Sequence, residues 1–187
     1  MRSSTDVRAI RHGYTLIEVL VVVVVLGIAG ALVIPSMGST GILRVQAAVR
    51  SVVSDIVFCQ ADAVAFQERR AIVFDSATTY RLVQVPGSVI DIEHNTLYDP
   101  SRPSGLYVVD VSDPRYGDAR INSALFDSHN YLVFDEQGAP LGDLGTNTAG
   151  SGGTVTITGS EQTFDVTVDA FTGRVSVQRR TEQGQGN

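Results

Sequence analysis

The sequence predicts an α+β protein in which a long N-terminal helix is packed on a two-sheet antiparallel β domain. Two observations predict this class: a helical pattern extends from about residue 14 to residue 69, and alternation with a period of two follows it. The length of 187 residues suits one ordinary domain with an appendage. A hydrophobic content of 43% with 18% charged residues excludes a disordered chain.

Residues 1–13 are predicted to be a short basic leader, and residues 14–35 are predicted to form a membrane-spanning helix. Between Leu16 and Ile34 the only ionisable residue is Glu18, and this stretch would rise about 28 Å as a helix, against a bilayer core of about 30 Å. The leader carries three arginines against one aspartate. The positive-inside rule therefore predicts a single-pass chain with a cytoplasmic N-terminus.

Residues 36–70 predict an amphipathic continuation of the same helix. From Leu43 to Phe66 apolar residues recur mainly in steps of three and four, with charged residues between them. We expect one helix from about Tyr14 to Arg69, bent near Pro35 because proline removes a backbone donor. Cys59 lies at an apolar position of this pattern, which indicates a small core residue. As the only cysteine, it excludes an internal disulfide and a cysteine-based zinc site.

Residues 71–180 predict the β domain, and residues 181–187 predict a disordered tail. Pro86 to Gly105 is expected to be a long connection, and Gly138 to Gly153 a glycine-rich loop. Alternation and turn signals predict eight short strands: Ala71–Asp75, Tyr80–Val85, Leu106–Val111, Arg120–Phe126, Tyr131–Asp135, Thr154–Thr158, Thr163–Asp169 and Arg174–Gln178.

Glu18 is the residue in the apolar run that most needs a compensating partner. A carboxylate inside a membrane helix costs roughly 2.5–3.5 kcal/mol at the centre and less near an end. Tyr14 lies one helical turn before it. Cleavage between Gly13 and Tyr14 would create an α-amine that could neutralise Glu18 of the same chain or of a neighbour. The alternative is that Glu18 is simply solvated at the headgroup level.

The residues Gly13-Tyr14-Thr15-Leu16-Ile17-Glu18, followed by a valine-rich run, resemble the class III signal of type IV pilins and type II secretion pseudopilins. The resemblance implies cleavage by prepilin peptidase after Gly13 and N-methylation of Tyr14, which stands where phenylalanine is usual. It also implies that Glu18 pairs with a neighbouring subunit's N-terminus during filament assembly. Thr15, Leu16 and the helix-loosening Pro35 are the other assembly residues that it implies.

The C-terminal part resembles the GspH/FimT-type minor pseudopilins. The resemblance rests on Tyr131–Asp135, Gly138 and the segment Thr172-Gly173-Arg174-Val175. It implies a pilin-like fold and a structural subunit of a type II secretion pseudopilus or a type IV pilus that supports protein export. The implied partners are other pilins or pseudopilins, prepilin peptidase, the bacterial inner membrane and exported cargo. The implied location of the β domain is the periplasm.

A DNA-binding minor pilin is the alternative function. Some FimT-type proteins act in DNA uptake with a Gly-Arg-x-Arg pattern, which here lacks its second arginine after Arg174. Arg179 and Arg180 could complete a small basic patch. The whole chain has a net charge of −6, and removal of the leader leaves 11 arginines against 19 acidic residues, a charge of −8. Because this field opposes phosphate contacts, we expect a solvated charged end and no nucleic-acid partner.

No catalytic residue and no cofactor are predicted. The carboxylate neighbours of His94 and His129 lie in predicted loops and lack an accompanying nucleophile motif. Asp110, Asp113 and Asp118 are weak calcium candidates, since they share a loop that contains proline and glycine. They do not follow the EF-hand spacing, and aspartates of such loops more often stabilise turns.

Overall fold

The computed structural model of the protein describes residues 13–33, 39–145 and 148–180. The chain divides into two compact units, Met1–Gly38 and Ser39–Asn187. The first contains helix α1, Leu16–Val33, and the second contains helix α2, Ser39–Phe66, and all the strands. The predicted α+β class is therefore confirmed. The predictions for residues 1–12 of the leader, for a bend at Pro35 and for the tail lie outside the described residues.

The second unit contains two antiparallel sheets, as predicted. In spatial order, the six-stranded sheet is β3-β2-β1-β5-β6-β7 and the four-stranded sheet is β10-β9-β8-β4. All eight predicted strands are present, with ends that shift by at most two residues. The strands are β1 (Arg70–Phe74), β2 (Thr79–Gln84), β3 (Val108–Asp110), β4 (Arg120–Phe126), β5 (Tyr131–Phe134), β6 (Pro140–Asp143), β7 (Thr148–Ala149), β8 (Gly153–Gly159), β9 (Gln162–Val168) and β10 (Val175–Arg180).

The prediction of a glycine-rich loop over residues 138–153 is wrong in part, because β6 and β7 lie within it. Gly150 donates its N–H to the Pro140 carbonyl at 2.8 Å. A Cβ on Gly150 would lie only 2.9 Å from the backbone carbon of Leu141 and 3.1 Å from the Gly142 nitrogen. Glycine therefore permits a close approach between two strands here, which a composition-based prediction of a loop does not capture.

Helix α2 ends three residues earlier than predicted. Gln67 adopts a left-handed φ of 52°, and the Glu68 N–H donates to the Ala63 carbonyl at 3.2 Å. This is the hydrogen bond of a Schellman C-cap, a position that glycine usually occupies. The Gln67 side chain adds a bond from Nε2 to the Val64 carbonyl at 2.8 Å. Because glutamine gives no stop signal, the sequence pattern extended the helix too far.

The main core lies between α2 and the two sheets. One face of α2 is buried there, formed by Val45, Ala48, Val49, Val52, Ile56, Cys59 and Ala63. The prediction that Cys59 is a core residue is therefore confirmed. A second apolar cluster covers the opposite face of the six-stranded sheet, where Ile90 and Ile92 of the long connection pack on Ala71, Val83 and Val133. That connection shields a sheet face as well as joining two strands.

Candidate functional site

The start of α1 is a capping box formed by Thr15 and Glu18. Thr15 precedes the first helical residue, and its Oγ1 accepts from the Glu18 N–H at 3.3 Å. In return the Glu18 carboxylate accepts from the Thr15 N–H at 3.4 Å. Both distances are long for such bonds, and both groups are exposed. The motif Thr-x-x-Glu therefore both starts the helix and folds the carboxylate back towards the chain before it.

The rest of α1 is an exposed apolar surface. Its large hydrophobic side chains from Leu16 to Ile28 are between 51% and 84% exposed, and Tyr14 is 82% exposed. They surround the helix, so that no single face is distinguished as a core face. A Cβ at Gly27 or Gly30 would meet no atom within 4 Å. In the described parts of the chain, no helix is sufficiently long and apolar to cross a membrane.

Gly13 and Tyr14 precede this helix as irregular, exposed chain. A Cβ at Gly13 would also have no neighbour within 4 Å. An extended and accessible bond is what a peptidase requires of a cleavage site. The Glu18 carboxylate contacts the nitrogen of Thr15, which is one residue beyond the amine that cleavage would create. The structure thus places Tyr14, Thr15, Leu16 and Glu18 within the first turn and its approach, while Pro35 lies outside the described residues.

A buried acidic site in α2 was not recognised in the sequence. Asp55 is only 7% exposed, and its two carboxylate oxygens accept from Tyr80 Oη at 2.6 Å and Tyr107 Oη at 2.9 Å. Burial raises the pKa of the Asp55 carboxyl, against the effect of the two tyrosine hydrogen bonds. Burial together with this carboxylate raises the pKa of Tyr107 to about 12.

The network continues along the helix through Ser51, one turn before Asp55. Ser51 Oγ lies 3.3 Å from Tyr80 Oη and accepts from Tyr116 Oη at 3.1 Å. The guanidinium of Arg102 lies 4.5 Å from the centre of the Tyr107 ring. The sequence signal that could have identified the site is Ser51 and Asp55, four residues apart on the apolar face of an amphipathic helix. The polar groups of this network satisfy one another across the core, so the network stabilises the fold.

The three arginines of the DNA-binding alternative do not form one patch. Arg174 lies before β10, and Arg180 lies at its end, about 20 Å further along an extended strand. Arg180 is bound to Asp165, with Nη2 to carboxylate distances of 2.9 Å. Arg179 points to the opposite face of the sheet from Arg180, since successive residues alternate.

The three calcium candidates also have separate partners. Asp110 accepts from Ser112, Asp113 pairs with Arg115 at 2.9 Å, and Asp118 accepts from the backbone and hydroxyl of Ser160. Within the ranges that the structure describes, no group of three acidic, histidine or cysteine side chains is placed to hold a metal ion. These aspartates form turns and an inter-loop contact.

A large exposed apolar surface such as that of α1 marks a site of interaction with a protein or a membrane. A family model for the prokaryotic N-terminal methylation motif matches residues 8–34. This segment of the chain therefore fits the N-terminal motif of type IV pilin-like and pseudopilin subunits. No match was found among curated proteins or among solved structures.

Proposed function

We propose that this chain is a minor pseudopilin that assembles into a type II secretion pseudopilus or type IV pilus and supports protein export. Prepilin peptidase cuts it between Gly13 and Tyr14, and Tyr14 is then N-methylated. The α1 segment anchors it in the inner membrane as a single-pass chain, with the N-terminus cytoplasmic and the β domain periplasmic. Its role is structural rather than catalytic, and it requires no cofactor.

The match of residues 8–34 to the methylation motif is the observation that carries this proposal. The contact between Glu18 and the Thr15 nitrogen supports the assembly role, because the carboxylate already lies one residue from the future amine. In a filament, we expect Glu18 to set the register by pairing with the Tyr14 amine of a neighbouring subunit. Exposed apolar side chains around α1 supply the remaining contact area.

Processing is tested by the intact mass and N-terminal sequence of the full chain after co-expression with a prepilin peptidase. We expect a product that begins at Tyr14 and is heavier than the cleaved chain by one methyl group. Gly13→Val should leave the chain uncut, whereas the matched change Gly27→Val, also in open space, should leave it processed. A wild-type chain that still begins at Met1 would contradict the proposal.

The role of Glu18 is tested by two variants that separate its charge from its capping bond. Glutamine can also fill the last position of a capping box, so Glu18→Gln retains the local structure but removes the charge. We expect both Glu18→Gln and Glu18→Ala to lose co-assembly with partner pilins and secretion. Normal assembly of Glu18→Gln would show that capping is the whole role of this residue.

DNA uptake is the alternative that we place second. Arg174 and Arg179 have no ion pair among the described residues, whereas Arg180 is occupied by Asp165. The acidic net charge further weakens any attraction to phosphates. Retardation of DNA at low salt, lost when Arg174 and Arg179 are replaced, would favour this alternative over protein export.

A further inference from the structure

Strand β10 leaves one edge of the four-stranded sheet open within the described residues. The Asp169 N–H donates to the Arg174 carbonyl at 3.0 Å. Because hydrogen-bonded pairs recur at every second residue of an antiparallel pair, this bond determines which residues of β10 bond to β9. The N–H and C=O groups of Val175, Val177 and Arg179 therefore point away from β9. A row of such groups can pair with an added strand.

An apolar groove lies beside this edge, between α2 and the end of the sheet. Its lining includes Val49 and Val53 of α2, Phe164 of β9 and Val177 of β10, and its volume is about 450 Å³. The Val177 side chain is 45% exposed in it. A free strand edge next to an apolar hollow is the arrangement that binds extended peptides. The backbone supplies affinity, and the hollow selects alternate side chains.

Two arginines give the groove a positive rim on an otherwise acidic protein. Arg50 lines it from α2, and Arg179 lies two residues after Val177, on the same face of β10. Both are exposed, and neither has an ion pair in the parts of the chain that the structure describes. Arg180, on the opposite face, is instead neutralised by Asp165. The rim therefore favours an acidic occupant.

We propose that β10 and this groove dock an extended acidic segment of a partner protein as an additional strand. An apolar side chain of that segment enters the groove beside Val177, and its carboxylates lie against Arg50 and Arg179. The apolar floor and the strand edge favour a peptide over a nucleic acid. This docking site is independent of α1, so it does not rest on the filament role of the N-terminal segment.

The opposite edge of the same sheet provides matched controls. Strand β4 carries an exposed arginine, Arg120, and an exposed apolar side chain, Leu125, which is 60% exposed. It also contains a register irregularity between Ile121 and Ser123. Because bulges protect an edge against strand addition, β4 has the same side-chain types without the same docking capacity.

The test uses the full chain in detergent and the labelled peptide Glu-Thr-Glu-Thr-Val-Thr-Val-Thr, whose glutamates and valines share one face when it is extended. We expect saturable binding by fluorescence anisotropy and slower amide exchange at Val177 and Arg179. Val177→Asp should abolish binding, and Arg50→Glu with Arg179→Glu should weaken it about tenfold at low salt. Arg120→Glu and Leu125→Asp should bind as the wild type does.

Five results would overturn the proposal. Absence of binding would show that the groove does not dock this segment. Equal binding of a peptide with glutamine in place of glutamate would show that acidic side chains are not recognised. An equal loss of peptide binding in the two β4 variants would show that binding is not specific to the groove. Competition by duplex DNA through Arg50 and Arg179 would assign the rim to phosphates. Self-association of the chain that Val177→Asp prevents would assign the edge to a second copy. None of the five bears on the proposed processing at Gly13.

Discussion

Glu18 on α1 and Asp55 on α2 are both carboxylates on largely apolar helices, and the chain places them in opposite environments. Glu18 is exposed, and its hydrogen bond among the described residues is a long one to the Thr15 backbone. Asp55 is buried, and two tyrosine hydroxyls bind it at 2.6 and 2.9 Å. An acid that the chain itself satisfies serves the fold, whereas an exposed acid on an apolar helix remains available to a partner.

The apolar side chains of the two helices differ in the same way. Leu20 of α1 is 57% exposed, whereas Ile56 of α2 is fully buried. Helix α2 presents one face to the core and, apart from Asp55, keeps its charged residues elsewhere, whereas α1 after Glu18 is apolar on all sides. The β domain thus completes its own core, whereas the apolar surface of the N-terminal helix is left exposed.

The largest expected effect comes from shortening an apolar side chain on each helix. Ile56→Ala should lower the free energy of unfolding of the β domain by about 3 kcal/mol, because it leaves a cavity in the main core. Leu20→Ala should change it by less than about 0.5 kcal/mol. Urea unfolding of the full chain in detergent, followed by tyrosine near-ultraviolet circular dichroism, measures both. Equal losses would mean that α1 contributes to the domain core.

Replacement of the two acids should show the next largest difference. Asp55→Ala removes the acceptor of two tyrosine hydroxyls, so we expect a loss of about 2 kcal/mol in the free energy of unfolding. Glu18→Ala should leave that quantity unchanged while it abolishes assembly. The same urea experiment applies, with Tyr80→Phe as a control that removes one of the two bonds. A stable Asp55→Ala would show that water replaces the carboxylate.

Much of this comparison could be predicted from the sequence, and its limits have physical causes. Periodicity identified α2 and eight strands, because a strand with one buried face, such as β9, alternates between apolar and polar residues. The capping box of Thr15 and Glu18 is also local, so its residues are adjacent in the sequence. The Asp55 site depends on Tyr80 and Tyr107, which are 25 and 52 residues away from it. Such contacts follow from the packing of α2 against the sheet, which a single sequence does not specify.

A smaller expected effect is a difference between Asp55 and the exposed aspartates in how their contributions to stability depend on pH. Burial raises the pKa of Asp55 in the folded chain above its ordinary value of 3.8. Between these two values the folded protein retains a proton that the unfolded chain has released, so this group's contribution to stability grows as the pH falls. The wild type should therefore gain stability relative to Asp55→Asn as the pH approaches 3.8 from above.

The exposed Asp118 should show the opposite dependence of stability on pH in the same experiment. Hydrogen bonds from Ser160 lower the pKa of its carboxyl. The contribution of Asp118 to stability is present at pH values above its ordinary pKa. It is lost as the pH falls through its lower pKa in the folded chain. The advantage of the wild type over Asp118→Asn should therefore shrink on acidification. Thermal unfolding of the three chains between neutral and acidic pH compares the slopes, and slopes of the same sign would contradict the burial argument.

The smallest expected effect is a gain in the stability of the β domain from a substitution that leaves α1 unchanged. Ser160 and Glu161 join β8 to β9 in a two-residue turn, with left-handed φ values of 46° and 58°. Glycine adopts this conformation without the steric cost that a side chain incurs, so Glu161→Gly should raise the free energy of unfolding by about 1 kcal/mol. Glu161→Ala retains that cost and should give no gain. Because the turn is remote in sequence from Gly13 and Glu18, processing and assembly of Glu161→Gly should equal those of the wild type. A stabilised domain that assembled poorly would show that the filament requires flexibility of the β domain, and the separation of the two regions would then fail.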